Sequence, residues 1–266
     1  MITHRIGTIE YLAAENIHVN HGFTTRYGGV STGYLASMNL GIRRDDDLKN
    51  VEENYRRLGQ VLGFDPQNLV TTKQIHSDIV YKATEADRGN YLIDGASPIC
   101  DALITNVPGM ALIVFTADCT PILYHDPVTG AVGAAHAGWR GTAAGIAAKT
   151  VQAMVDAYGC KPENIRAAIG PHIGQCCFET DWDVPQAMLD ALGEEARSAI
   201  SARNSKYYVN LTEINSLFLR RAGVTQIETC PDCTACQPDR FWSYRRVGAK
   251  RGAQGAVIVC KKEGTL

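Results

Sequence analysis

The chain has 266 residues, 45% of them hydrophobic, enough for one sizeable core, and nine cysteines. A formal net charge of -2 gives no general attraction to nucleic acid or to an anionic membrane. No apolar stretch follows the charges of the first residues, and the longest apolar run, 110–115, is far too short to cross a bilayer, so the reading is a soluble, cytoplasmic chain without signal peptide or membrane span.

Residues 1–40 read as β-structure with turns, with strands expected at 11–14 and 17–23 and a glycine-rich loop at 27–33. Val51, Tyr55, Leu58 and Leu62 recur at helical spacing between Asp47 and Gly63, which predicts a helix over 47–62. Strands follow at 69–72 and 79–82, and residues 74–78 between them put His76 at a strand junction. Two more strands are expected at 101–105 and 110–115. Residues 121–124 and 131–135 flank Asp126-Pro-Val-Thr-Gly, which reads as a hairpin turn. The apolar spacing over 142–158 predicts one helix. Beyond it come a strand at 165–169, a tight loop at 170–174, helices at 184–201 and 212–222, and strands at 225–229, 241–244 and 256–259. With no repeat and no linker, the expected fold is α/β, a single domain over 1–266 with mixed β-sheet layers flanked by helices.

Without a secretory signal, the cysteines point to metal binding or catalysis rather than a disulfide framework. Cys119 and His136 each lie at the end or edge of a strongly apolar strand, and His76 lies upstream. A thiolate and two imidazoles are a known catalytic zinc set with an open fourth position, and copper accepts the same donors. Taken singly, each residue also fits a structural role: Cys119 as a small buried hydrophobe, the histidines as satisfied polar groups. No spacing rule joins the three. Cys230-Pro-Asp-Cys-Thr-Ala-Cys has the paired spacing of a metal knuckle through Cys230, Cys233 and Cys236 but lacks a fourth ligand nearby, while Cys176 and Cys177 read as buried thiols.

Seven stretches, in order and spanning about 20–250, carry a resemblance: His21-Gly-Phe-Thr-Thr-Arg-Tyr-Gly-Gly-Val-Ser, Met38-Asn-Leu-Gly, Lys73-Gln-Ile-His, Thr116-Ala-Asp-Cys, His136-Ala-Gly-Trp-Arg-Gly, Ile169-Gly-Pro-His-Ile-Gly and Phe241-Trp-Ser-Tyr-Arg-Arg. They resemble the multicopper polyphenol oxidoreductase (laccase-like) family, also called purine nucleoside phosphorylase or YfiH/YlmD-like. The resemblance implies an αββα-like fold similar to that of toxin deamidases. It also implies a zinc site at His76, Cys119 and His136, phosphorolysis of adenosine, inosine, guanosine and methylthioadenosine, and deamination of adenosine. Purine nucleosides and phosphate are then the partners. The chain departs from the family pattern at Val247 and over Arg251-Gly-Ala-Gln.

Arginine suits phosphate through its fixed fork of donors, and Arg26, Arg140, Arg245 and Arg246 lie in these stretches. Arg26 and Arg140 are the stronger candidates. Asn39 is a candidate for a base or ribose, His172 for the pocket rim, and Asp118 for orienting a ligand or moving a proton. Two other activities fit the same residues: a copper polyphenol oxidase, disfavoured by a total of seven histidines, and a Cys119–His136 hydrolase of the kind linked to peptidoglycan quality control.

Overall fold

The computed structural model describes residues 1–261 apart from Arg43 and Asp94. In chain order the first half contains β1 (Ile2–Ile6), β2 (Ile9–Ala13), β3 (His21–Thr24), α1 (Leu48–Leu62), β4 (Leu69–Val70), β5 (Val80–Lys82), β6 (Ala102–Thr105), β7 (Ala111–Thr116), β8 (Thr120–His125) and β9 (Val132–Ala137). The second half contains α2 (Trp139–Ala143), α3 (Ile146–Tyr158), β10 (Arg166–Ile169), β11 (Glu179–Thr180), α4 (Asp183–Leu192), β12 (Ile200–Arg203), β13 (Lys206–Val209), α5 (Leu211–Arg221), β14 (Gln226–Thr229), α6 (Tyr244–Val247) and β15 (Gln254–Val259).

Two six-stranded sheets form the centre, in the orders β1-β2-β3-β15-β7-β4 and β14-β10-β8-β9-β6-β5. Both are mixed: β4–β7, β5–β6 and β10–β14 pair parallel, the other ladders antiparallel. Strand alternation explains the layering. In β7, Leu112 and Val114 face a core shared with Leu123, Val132 and Ala134 of the second sheet, while Ala111 and Ile113 face Val51, Tyr55 and Leu58 of α1. In β8, Ile122 and Tyr124 point the other way, onto Ile146, Val151 and Met154 of α3 and Leu219 of α5. The order is therefore helix, sheet, sheet, helix, the mixed α/β arrangement expected. A small sheet β11-β13-β12 packs with α4 and α5 at one end.

Local signals set several boundaries. The Asp47 side chain accepts from the Lys49 N–H at the start of α1, and Gly63, at φ 70°, ends it. The helix expected over 142–158 is instead two, broken at Ala144 and Gly145, whose φ of 78° no continuous helix permits. The helix expected over 184–201 stops at Leu192 before Gly193 and continues as a 3-10 segment. The strand expected at 241–244 is a buried turn, Phe241 and Trp242, followed by α6, whose first turn the Ser243 hydroxyl caps. Residues 17–20 precede β3 without joining it, and β1, β12 and β13 were not anticipated as separate strands.

Candidate metal centre and active site

Cys119 sits immediately before β8, and His136 lies in β9 opposite Pro121, so the β8–β9 hairpin sets the distance between them. His76 arrives on the loop between β4 and β5, held at φ 61°. One ligand-capable atom from each residue lies within 4.8 Å of the others. The Cys119 Sγ is 3.8 Å from His76 Nε2, and the two imidazoles meet edge to face with centroids 4.9 Å apart.

Asp101, fully buried at the start of β6, ties the histidines together. Its Oδ1 accepts from His136 Nδ1 at 2.8 Å and from the His76 N–H at 3.0 Å. Its Oδ2 accepts the Ile75 N–H at 3.1 Å, the Ser77 N–H at 2.7 Å and the Ser77 hydroxyl at 2.7 Å. A carboxylate cannot donate, so the Nδ1 proton is on His136 and its Nε2 is left for the thiol side. Burial opposes the charge on Asp101, but His136 and Ser77 outweigh it and hold the carboxyl down to about 2. Burial likewise opposes charge on Cys119 and His136. Their mutual attraction, with His76 beside the thiol and Asp101 beside the imidazole, wins: the thiol falls and the imidazole rises.

Two glycines of His-Ala-Gly-Trp-Arg-Gly make this packing possible. A Cβ on Gly138 would sit 2.7 Å from the His76 ring and 3.4 Å from the Cys119 sulfur. One on Gly141 would sit 2.7 Å from the Ser77 carbonyl oxygen. The glycines let the start of α2 press against the 76–77 loop.

The triad lies where two cavities meet. One, of ≈ 240 Å³, is lined by Arg44, Lys73, Gln74, Phe115 and Arg251 among others. The other, of ≈ 290 Å³, is lined by Trp139, Ile173, Phe178, Leu211, Tyr244 and Arg245. His76, Ala117, Cys119 and Arg251 border both. Arg251 is half-buried with an unpartnered Nε among the described residues; burial and the neighbouring Arg44 both act against its charge.

The other anticipated site residues are placed differently. Arg140 is exposed, stacked on Trp139 at 4.2 Å, and borders neither cavity. Arg26 spends its guanidinium on the Ala36 and Pro238 carbonyls. Asn39 is fully buried: its Nδ2 donates to Gly41 O and Asp46 Oδ2, and its Oδ1 accepts the Gly41 and Ala253 N–H groups. His172 is a satisfied core histidine between Gly170 O and the Thr212 hydroxyl. Asp118, at φ 96°, borders the second cavity, but its carboxylate accepts the Thr234 hydroxyl and the Arg245 N–H and touches neither histidine. Arg245 does reach the second cavity while donating to the Cys177 and Glu179 carbonyls.

Cys230 is buried in the core between the sheets, away from Cys233 and Cys236. Those two meet Cys176 and Cys177 instead; Cys176 is exposed and Cys177 half-buried, so neither is the buried thiol expected. Sequence reasoning also passed over Asp101, Arg44 and Arg251. An aspartate directly before Ala-Leu-Ile-Thr was the one available signal, since a charge entering an apolar strand needs a partner.

Residues 20–261 match the family described as multi-copper polyphenol oxidoreductase laccase. The chain is 39% identical over 251 residues to purine nucleoside phosphorylase YlmD of Geobacillus stearothermophilus, covering 92% of this chain and 91% of that one. It is also 39% identical over 255 residues to a purine nucleoside phosphorylase of Deinococcus radiodurans, covering 95% and 94%. The crystal structure of YlmD from Geobacillus stearothermophilus superposes with a TM-score of 0.91 at 35% identity, covering 98% of this chain and 99% of that one. The hypothetical protein YfiH of Bacillus licheniformis superposes at 0.90 with 34% identity, covering 96% and 97%. Among the described residues no helix is long and apolar enough to cross a membrane.

Proposed function

The chain belongs to the multi-copper polyphenol oxidoreductase laccase (YfiH/YlmD-like) family, and from that premise we propose that it is a zinc-dependent purine nucleoside phosphorylase that also deaminates adenosine. The observation that carries this reading is the position of the His76, Cys119 and His136 cluster beside a cationic and an aromatic cavity, with His76 and Cys119 bordering both. The donor set, one sulfur and two imidazole nitrogens within 4.8 Å, fits zinc, and the missing Cβ at Gly138 lets the His76 ring and the Cys119 sulfur come together. His76, Cys119 and His136 would hold zinc, which would supply an acidified water, pKa about 7, as the nucleophile that replaces the 6-amino group of adenosine, lost as ammonia.

The chain's own residues supply the rest. Arg44, Lys73 and Arg251 hold inorganic phosphate, replacing the repulsion between Arg44 and Arg251 with shared charge-assisted hydrogen bonds. Trp139, Phe178 and Tyr244 take the purine and place C1′ of the ribose at the junction. A phosphate oxygen then attacks C1′ as the bond to the purine nitrogen breaks, giving ribose 1-phosphate and the free base. In this placement Arg251, within the stretch that departs from the family pattern, is a phosphate contact. The earlier candidates Arg26, Asn39 and His172 spend their polar atoms on bonds within the fold, and Arg140 borders neither cavity.

The test is direct. Zinc and copper are quantified in the purified chain, which is then incubated with adenosine with and without phosphate. Adenine released only with phosphate supports phosphorolysis, and inosine supports deamination. Neither product, with metal content unchanged in Cys119→Ala, would remove the reading.

A second reading rests on the Cys119–His136–Asp101 order of groups, which is that of a thiol hydrolase. Metal content separates the two, because a zinc-bound thiolate is not a free nucleophile. A multicopper oxidase finds no support in the histidines: among the described residues the groups close enough to hold a metal are this triad and a set of four cysteines.

A further inference from the structure

Cys176, Cys177, Cys233 and Cys236 come from two turns far apart in sequence, and their sulfurs all lie within 4.8 Å of one another. Cys236 Sγ is 3.6 Å from that of Cys176 and 3.4 Å from that of Cys177. A disulfide requires about 2.05 Å. Four thiolates around a tetrahedral zinc, each at about 2.3 Å, lie about 3.8 Å apart. The observed spacing is close to that of the tetrahedron and far from that of the disulfide.

The surroundings fit a metal knuckle. Cys233-Thr-Ala-Cys236 is a tight turn closed by the Cys236 N–H on the Cys233 carbonyl. Gly174–Cys177 is closed likewise by the Cys177 N–H on the Gly174 carbonyl. The Gly174 N–H donates to the Cys233 sulfur at 3.2 Å. A Cβ on Gly174 would stand 3.2 Å from the Cys176 sulfur and 3.5 Å from that of Cys233, so this glycine lets the turns close on each other. No lysine, arginine or histidine side chain bonds to these sulfurs among the described residues.

We propose that these four cysteines bind a structural zinc ion, separate from the His76–Cys119–His136 centre and closed to substrate by its four protein ligands. Each thiol gives up a proton as the ion binds, and no electrons move. The ion pins two walls of the aromatic cavity. The first turn leads from Ile173 to Phe178, both lining residues. The second carries Thr234, whose hydroxyl holds Asp118 at 2.7 Å, next to Cys119. Arg245 donates to the Cys177 carbonyl from the same wall. The ion therefore holds the backbone from which this cavity is built.

The experiment counts metal on the full chain expressed with zinc. Wild type should hold two zinc ions per chain, and Cys119→Ala and the double variant Cys176→Ser/Cys236→Ser one each. Because the double variant can fail to fold, Cys119→Ala, which keeps all four cysteines, is also loaded with cobalt(II). Strong sulfur-to-cobalt charge-transfer bands and tetrahedral d–d bands, at the intensity of four thiolates, are expected. Zinc absent from Cys119→Ala, or a cobalt form of that variant without thiolate bands, overturns the proposal. So does an intact mass two hydrogens light that reduction restores, which marks a disulfide. Loss of purine chemistry alone does not bear on it, since the readout is the second metal.

Discussion

The carboxylate of Asp101 bonds His136 Nδ1 at 2.8 Å and, through the same oxygen, the backbone N–H of His76 at 3.0 Å. One buried charge thus fixes the ring of one imidazole and the chain that presents the other. Outer partners of this kind orient a metal's ligands and typically govern about 10–100-fold in affinity. Asp101→Asn should therefore weaken zinc binding by about 10–100-fold and lower adenosine deamination with it. Competition with a chromophoric chelator measures the first. Metal affinity equal to wild type would show that the carboxylate serves only the loop.

Gly138 offers a sharper steric test. Its absent Cβ is the space that the His76 ring occupies, at 2.7 Å, with the Cys119 sulfur at 3.4 Å. Gly138 itself has an ordinary extended backbone, φ -64°, so alanine adds volume without backbone strain. Gly138→Ala should lose most zinc from the triad while keeping a cooperative unfolding transition. A crystal structure of the variant should show His76 turned out of the cluster. Full zinc occupancy with His76 in place would contradict the packing.

How much of this was legible in the sequence depended on range. The helix α1 was legible because its stop and start are local: Asp47 caps its own helix and Gly63 adopts the left-handed turn that ends it. The β8–β9 hairpin was legible from its turn and its two apolar flanks. The four-cysteine cluster was not, because residues 177 and 233 meet only when the turn after β10 packs on the turn after β14. Asp101 was hidden for the same reason: its partners lie 24 to 35 residues away. Membership of a motif does not say where an arginine's guanidinium goes: Arg245 reaches a cavity, while Arg140 borders neither. Arg26 sits in such a motif to bind loop carbonyls, whereas Arg251 lies outside every motif that was recognised and faces the cavity.

Arg44 and Arg251 border the same cavity, and the charge of Arg44 acts against that of Arg251. A charge-assisted hydrogen bond contributes about 1.5–3 kcal/mol, or roughly 10- to 150-fold. Arg251→Ala should therefore raise the KM for phosphate by at least about tenfold and change that for the nucleoside much less. Arg140→Ala is the control: exposed on Trp139 and outside both cavities, it should leave both constants within about twofold. Steady-state kinetics with phosphate varied at saturating inosine decides. An effect of Arg140→Ala equal to that of Arg251→Ala would relocate the phosphate.

Glu10 supplies a test of acid stability remote from the site. Its side chain is 3% exposed on β2 and receives Arg240 Nε at 2.6 Å and Arg5 Nη2 at 2.7 Å, joining the N-terminal hairpin to the turn before Phe241. Burial pushes its pKa up, but the hydrogen bonds and charges of Arg240 and Arg5 prevail, so the folded value lies below the usual 4.5. The unfolded chain then binds the proton more readily. The stabilisation is complete above the unfolded value and drains away as pH falls through the folded one. Glu10→Gln should cost about 2 kcal/mol at neutral pH, the scale of a hydrogen bond to a charged partner. It should also flatten the decline of stability below about pH 4.5. Urea unfolding at a series of pH values for both chains measures this. Parallel acid limbs for wild type and variant would mean that Glu10 is not the group whose protonation the fold resists.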